Sequence, residues 1–170
     1  MNQPLRNDKP APLSIPVTLT QEEMDKGVVA GKRRHRLGLD RDLRNAHGID
    51  PTHSEQVNIE GCQGEIAVGK LMGWPVDFSD NVGHPDFPKA QVRQTNWTSG
   101  KLCVHKDDKH LHLPFILVTG RGPRFMVRGW MTGHDAILNT VHQDIKKGYN
   151  RPAHWVPQEL LEDIRDLFDD

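Results

Sequence analysis

The run Phe115-Ile-Leu-Val-Thr119 is almost continuously apolar. Strands that are buried on both faces have this composition, whereas half-buried strands alternate apolar and polar residues. The run is followed by a turn at Arg121-Gly-Pro-Arg124 and by a second strand pattern at residues 125–131. We therefore expect a buried central strand at residues 115–119, with the chain returning in the strand that follows.

Further strands are predicted on both sides of this centre. Residues 90–95 and 101–105 have strand composition, and the segment between them, 96–100, fits a hairpin loop with a Gly near its end. Shorter strands are predicted at residues 16–20, 74–80 and 155–156.

Four helices are predicted around these strands. The first follows Thr20-Gln-Glu-Glu23, which has the spacing of a capping box, and it is expected to fray or break near Gly38. The others are predicted at residues 57–72, 133–145 and 158–168. The order of helices and strands predicts an α/β fold in which a mixed central sheet is flanked by helices.

Length and composition favour one globular domain. The chain has 170 residues, of which 35% are hydrophobic and 26% are charged, so it is long enough to bury a sizeable core. Residues 1–15 hold three prolines and show little periodicity, and they are predicted to be a disordered arm. The domain is then expected to span residues 16–170. The turn-rich segment 45–56 is predicted to be a loop.

Charge and targeting signals restrict the possible partners. The net charge of -1 makes no general case for binding a polyanion, so any nucleic-acid site has to be a local patch. The cysteines, Cys62 and Cys103, are too few for a disulfide framework or a zinc quartet, and they suggest a reducing compartment. The chain has neither an apolar run of about 18 residues nor an N-terminal apolar signal region. We therefore expect a cytoplasmic protein without a membrane partner, and the sequence leaves its oligomeric state open.

Two acids are candidate metal ligands. Glu65 falls on the apolar side of the helix at 57–72, where a carboxylate is costly to bury unless it is paired or binds a metal. Asp86 lies between Pro85 and Phe87 in a turn. A surface Glu and an ordinary turn Asp are the alternatives for each acid taken alone. Both acids together favour a shared site.

Two polar residues on the strand at 90–95 complete the candidate site. Gln91 and Arg93 are two positions apart, so they point to the same face, and Val92 points to the other. Gln91 can bind a metal only through its neutral amide oxygen, whereas Arg93 is a fixed cation that can hold a phosphate. A solvated edge strand is the alternative interpretation.

A helix Glu, a Pro-Asp and a polar-apolar-basic strand, in this order, resemble the PD-(D/E)XK nuclease superfamily. Residues 59–135 resemble more closely a set of small phage-encoded proteins that are related to it. The matching segments are Gly61-Cys-Gln-Gly-Glu65-Ile-Ala-Val-Gly-Lys70, Pro85-Asp86, Gln91-Val-Arg93-Gln-Thr95, Gly100-Lys-Leu102 and Arg128-Gly-Trp130-Met. The resemblance covers about the middle half of the chain.

The resemblance implies a restriction-endonuclease-like core, Mg²⁺ or Mn²⁺ as cofactor, and hydrolysis of phosphodiester bonds in DNA. It assigns the helix acid to Glu65, the metal-binding Asp to Asp86, the second acid to Gln91 and the lysine to Arg93. The resemblance thus gives Glu65, Asp86 and Gln91 as metal ligands and adds Arg93 to the catalytic set.

The chain departs from the family pattern at two positions. Gln91 replaces an acid and lowers the negative charge that attracts a metal. Arg93 replaces a lysine, and it keeps the positive charge but cannot lose a proton to act as a base. Two functions therefore stay open: a metal-dependent DNA nuclease, and a catalytically degenerate phage protein that binds DNA or a host or phage protein and modulates it.

Basic residues supply a candidate surface for tracking phosphates. The predicted DNA-binding residues are Lys32, Arg33, Arg34, Arg36, Lys89, Lys101 and Lys106. A solvated helix face is the alternative for the run at residues 32–36. Trp97 stands in the predicted loop at 96–100, where it either stacks on a base or anchors the loop.

Overall fold

The computed structural model describes residues 10–40, 51–79, 84–140 and 153–168. The helices in these ranges are α1 (Gln21–Asp40), α2 (Pro51–Met72) and α3 (Gly133–Asn139). The strands are β1 (Ile15–Thr18), β2 (Gln91–Thr95), β3 (Leu102–Val104), β4 (Pro114–Arg121), β5 (Arg124–Thr132) and β6 (His154–Val156). Short 3-10 helices follow at Gln158–Leu160 and Ile164–Leu167.

The central sheet has four strands in the order β1-β5-β4-β2. β2 runs parallel to β4, whereas β4–β5 and β5–β1 are antiparallel, so the sheet is mixed. The apolar run lies inside β4 and is buried, which confirms the predicted central strand. β2 is at the end of this sheet, so one of its edges pairs with β4 and the other faces away from the sheet.

Two hydrophobic clusters cover the two faces of this sheet. Because successive side chains of a strand point to opposite faces, Ile116 and Val118 of β4 lie in a cluster with α2. Phe115 and Leu117 lie in a cluster with β3, β6 and α3. β3 and β6 form a separate antiparallel pair. The predicted α/β class with helices on a mixed sheet is confirmed at this level.

Helix α1 begins with the predicted capping box. The Thr20 backbone N–H donates to Glu23 Oε2 (2.7 Å), and the Glu23 N–H donates to Thr20 Oγ1 (3.2 Å). The helix continues through Gly38 to Asp40, so the break predicted there is wrong. Helix α1 packs along α2, and a Cβ placed on Gly31 would lie 2.3 Å from Ile59 Cα. The two backbones therefore approach each other as closely as glycine permits.

The predicted hairpin across residues 96–100 is wrong. β2 pairs in parallel with β4, whereas β3 pairs with β6, so the two segments enter different sheets. The helix predicted at 158–168 is also wrong. Its middle is held extended by a bridge in which the Trp130 N–H donates to the Glu162 carbonyl (3.0 Å) and the Glu162 N–H donates back (2.8 Å).

Other boundaries also differ from the prediction. Helix α2 begins at Pro51, six residues before the predicted start at residue 57, so the end of the loop predicted at 45–56 is helical. Residues 74–79 are irregular rather than a strand, and residue 80 lies outside the described ranges. Helix α3 ends at Asn139, and residues 141–145 of its predicted span lie outside those ranges.

The N-terminal arm predicted at residues 1–15 overlaps the start of the fold. Ile15 is the first residue of β1, and Ser14 Oγ accepts a hydrogen bond from Arg128 Nη1 (3.1 Å). Residues 1–9 lie outside the described part of the chain. None of the helices described has both the length and the hydropathy that are needed to cross a membrane.

The contact at Gly31 predicts a destabilising substitution. We expect Gly31→Ala to lower the free energy of unfolding by about 1–3 kcal/mol, because the added methyl group meets the backbone of α2 rather than a side chain that can move away. Gly38→Ala in the same helix is the control. Nothing lies within 4 Å of a Cβ at Gly38, so alanine there should stabilise by up to about 1 kcal/mol. Urea unfolding of both variants measures the difference, and equal effects would contradict the close approach.

Candidate functional site

Glu65 is a residue of α2 and is buried where this helix packs against α1. Only 5% of the residue is exposed. Its carboxylate binds the Arg34 guanidinium of α1 at two points, with Nη1–Oε1 at 2.7 Å and Nη2–Oε2 at 3.2 Å. This two-point geometry is the strongest form of an Arg–carboxylate pair. Arg34, predicted to bind DNA, is thus the direct partner of the predicted helix acid.

Asp86 lies at the outer edge of β2. Its Oδ2 accepts the Val92 backbone N–H at 2.7 Å. A narrow turn fixes this position, since the Phe87 N–H donates to the Ala90 carbonyl (3.0 Å) and the Ala90 N–H donates back (3.2 Å). Because β4 pairs with the other edge of β2, the bond from Val92 places Asp86 on the edge that faces away from the sheet.

The charges of Glu65 and Asp86 act on each other. Burial raises the pKa of Glu65 to about 7, with the Asp86 charge adding to the rise and Arg34 opposing it. Burial also raises the pKa of Asp86, against the lowering effects of the Val92 N–H, Arg93 and Arg34. The structure therefore brings the helix acid and the turn acid into one electrostatic environment that also contains two guanidinium groups.

Cys62 lies one helical turn before Glu65, and the pKa of its thiol is affected by the charges of the site. Burial raises the pKa of its thiol to about 12, with Arg34 opposing the rise and the two carboxylates adding to it. The side chain is thus a neutral thiol at physiological pH. It is a packing residue of the site rather than a thiolate ligand.

Arg93 extends along the same edge of β2. Its Nη1 donates to the Val92 carbonyl (3.2 Å), its Nη2 donates to Asp108 Oδ2 (3.1 Å), and its guanidinium lies 4.8 Å from the centre of the Phe115 ring. Asp108 also accepts the His105 backbone N–H (2.9 Å). Arg93 is therefore a positioned cation, and its charge lowers the pKa of both carboxylates.

Gln91 lies on the opposite face of the sheet from α2. It is in register with Phe115, and it shares the face of Arg93, whereas Val92 packs with α2. Gln91 is buried at the start of β2. No described contact joins Gln91 to Glu65 or Asp86, so its role as a third metal ligand stays a prediction.

The predicted DNA-binding residues lie on α1, in the turn before β2 and on both sides of β3. Arg34 of the run at 32–36 contacts Glu65, and Lys89 lies in the turn that holds Asp86. Lys106 is exposed next to His105. Lys101 is exposed beyond the other end of β2, after the loop at 96–100. The DNA-binding role of all seven residues stays a prediction.

Sequence reasoning missed three components of the site. They are the pairing of Arg34 with Glu65, the Asp108 support of Arg93, and the backbone of Val92. Spacing along the chain contains no signal for the first two, because each joins elements that only tertiary packing brings together. Within the described ranges, no group of three or more His, Cys, Asp or Glu side chains is arranged to hold a metal.

The large open groove of the molecule is a separate feature. It has a volume of about 1020 Å³ and lies between α1 and the segment that follows α2, with Arg33, Lys70 and Trp74 in its lining. Neither Glu65 nor Asp86 lines it. The acids therefore lie outside this groove.

Comparison of the chain with protein-family models, with curated proteins and with solved structures gave no match. The interpretation of the site therefore depends on its own geometry and on the sequence resemblance.

The raised pKa of Glu65 predicts a pH-dependent stability. With a pKa raised to about 7 in the folded protein and an ordinary value of 4.5 in the unfolded chain, Glu65 binds a larger fraction of a proton in the folded state across this interval. The stabilisation from this group is therefore complete below pH 4.5 and is lost as the pH rises through 7.

We expect the stability of wild type relative to Glu65→Gln to fall over this interval by a free energy on the order of 3 kcal/mol, since one pKa unit corresponds to about 1.4 kcal/mol. Urea unfolding in EDTA from pH 4.5 to 8 measures the difference. Parallel profiles of wild type and the glutamine variant would contradict the assignment.

Proposed function

We propose that this protein is a metal-dependent DNA nuclease of PD-(D/E)XK type, with a restriction-endonuclease-like core, that hydrolyses phosphodiester bonds. One observation carries the proposal: the carboxylates of Glu65 and Asp86, from a helix and from a distant turn, share a confined environment with Arg34 and Arg93. Buried acids whose pKa values are raised beside fixed cations are typical of functional sites.

The donors at this edge suit Mg²⁺ or Mn²⁺. Both ions prefer carboxylate and carbonyl oxygens. Glu65 and Asp86 supply two carboxylates, and the carbonyl of Val92 faces the same edge. Gln91 is the third ligand implied by the sequence resemblance. Because it lies on the face of the sheet opposite to α2, its side chain has to extend around the edge of β2 to contact a metal held by the two acids. A divalent ion held by Glu65 and Asp86 would reduce the repulsion between the two acids, which Arg34 and Arg93 reduce in this structure.

The side chains divide the chemistry between them. A bound divalent ion lowers the pKa of a water molecule and neutralises charge on the phosphate. Arg93, held by Asp108 and the Val92 carbonyl, offers its remaining N–H groups to a phosphate oxygen. Arg34 has a side chain that is 43% exposed, so it can exchange its bond with Glu65 for a phosphate. We assign the tracking of the DNA backbone to the exposed basic residues of α1, Lys32, Arg33 and Arg36.

The Arg34–Glu65 pair also supports a second function. Arg34 gives the buried carboxylate of Glu65 its hydrogen bonds and an opposite charge without any metal. Compared with the family pattern, the chain also lacks the second acid, which Gln91 replaces, and the lysine, which Arg93 replaces. A catalytically degenerate phage protein that binds DNA or a host or phage protein would keep this arrangement. Both cysteines are free thiols, which agrees with the cytoplasmic location that we propose for either function.

Charge-neutral variants test the nuclease. We expect Glu65→Gln and Asp86→Asn each to weaken Mn²⁺ binding at least 10-fold and to abolish Mg²⁺-dependent cleavage, because each removes a charged oxygen donor. Arg93→Lys should keep partial activity, since a cation remains but the two-donor grip is lost. Calorimetry with Mn²⁺ measures binding. Cleavage is assayed on plasmid, linear duplex and single-stranded DNA with Mg²⁺, Mn²⁺ or EDTA.

Glu60→Gln is the matched control. Glu60 is a second buried glutamate of α2, but its oxygens accept hydrogen bonds from Gln56 and Asn96 and pair with Arg121 (3.2 Å). This variant should bind Mn²⁺ as wild type does, because Glu60 is not one of the proposed ligands. If wild type binds DNA without cutting any of the substrates, the nuclease proposal fails and the binding function replaces it.

A charge-restoring variant tests Gln91 separately. We expect Gln91→Glu to tighten Mn²⁺ binding several-fold, because it adds an anionic oxygen. Arg93 starts from the same face as Gln91, and its charge acts on both acids, so a side chain from that face can reach the edge. Calorimetry on both forms measures the change. Equal or weaker binding in the glutamate variant would remove Gln91 from the ligand set.

A further inference from the structure

Trp97 is an exposed indole on a loop that the rest of the molecule holds in place. Trp97 is 75% exposed, whereas Trp74, Trp130 and Trp155 are partly buried. Trp97 therefore does not anchor the loop at residues 96–100. Because the loop is held from outside, it presents this open aromatic face at a fixed position.

Three hydrogen bonds from outside the loop fix its backbone. Gln158 Nε2 donates to the carbonyls of Thr98 (2.9 Å) and Gly100 (2.9 Å), and Arg128 Nη2 donates to the carbonyl of Thr98 (3.4 Å). Within the loop, the Gly100 N–H donates to the Trp97 carbonyl (2.9 Å). A Cβ on Gly100 would lie 2.3 Å from Thr95 Cγ2, so the turn closes tightly.

Two arginines are connected to the residues that flank Trp97. Asn96, which precedes Trp97, donates to Glu60 (2.8 Å), and Glu60 also pairs with Arg121, whose side chain is 70% exposed. Arg128 donates to the carbonyl of Thr98, which follows Trp97.

Other charges complete this surface. Lys101 follows the loop and is exposed, and Arg124 is exposed opposite Arg121 in the β4–β5 hairpin. The acids of this region are Glu60, which is buried, and Glu159, which is exposed next to Gln158.

We propose that Trp97 and the cations around it bind single-stranded DNA, with a base stacked on the indole and the adjacent phosphates on Arg121 and Lys101. Base stacking needs an open aromatic face held at fixed position, and the phosphates need nearby cations. The inference rests on the proposed function for its substrate class. Trp97 lies within roughly 13 Å of Arg93 along the chain, which is the length of about four stacked nucleotides. One strand can therefore run from the indole to the acids.

Binding measurements in EDTA test the proposal without catalysis. A labelled 15-nucleotide oligo(dT) is titrated with wild type, Trp97→Ala, Trp97→Phe and the control Leu138→Ala, and anisotropy is followed. Leu138 is 80% exposed on α3 and carries none of the features described for the loop. We expect Trp97→Ala to weaken binding about 10-fold, Trp97→Phe about 3-fold, and Leu138→Ala not at all. Binding should quench tryptophan fluorescence in wild type but not in Trp97→Phe.

Matched oligo(rU) and duplex DNA distinguish the kinds of nucleic acid. Oligo(rU) should show the same dependence on Trp97, since stacking uses the base, whereas duplex binding should change less than 2-fold. Equal affinities of Trp97→Ala and Leu138→Ala for oligo(dT), or quenching that persists in Trp97→Phe, would overturn the proposal. Because EDTA removes the metal, a protein that never cleaves DNA can still show this binding, and a nuclease can still lack it.

Discussion

Burial of the Glu65 carboxylate is the constraint on which the arrangement of the helices and the site depends. An ionised carboxylate in this position is costly unless it is paired, and Arg34 pairs with it at two points. That pairing requires α1 to lie directly against α2, which the close approach at Gly31 allows. The charge of Arg34 also acts on Asp86, together with that of Arg93. The Arg34–Glu65 pair therefore links the packing of the two helices to the electrostatics of the site.

Local signals in the sequence predicted much of the fold. The apolar run at 115–119, the capping box at Thr20 and the turn at 121–124 each depend on neighbouring residues, and each is confirmed. The hairpin at 96–100 failed because a loop with a Gly near its end does not determine which strand a neighbour will pair with. The helix at 158–168 failed because backbone bonds to a distant strand outweighed its apolar periodicity.

The candidate site was predictable to a smaller extent. The order of Glu65, Asp86 and the strand motif indicated two acids near a strand, and the structure brings these acids together. Alternation along β2 correctly placed Gln91 and Arg93 on one face, but it does not say on which face the acid-bearing helix packs. Arg34 was predicted from its charge as a DNA contact, because nothing along the sequence signals that α1 lies over Glu65.

The contacts of Val92 have a consequence for solubility. An end strand normally presents unpaired N–H and carbonyl groups that invite a strand from another molecule. At Val92 of β2, the backbone N–H donates to the side chain of Asp86, and the carbonyl accepts a hydrogen bond from the side chain of Arg93. The outer edge of β2 is thus blocked at Val92 by two residues of the site. A chain that no longer needed these residues for chemistry would still need them to keep its sheet from growing.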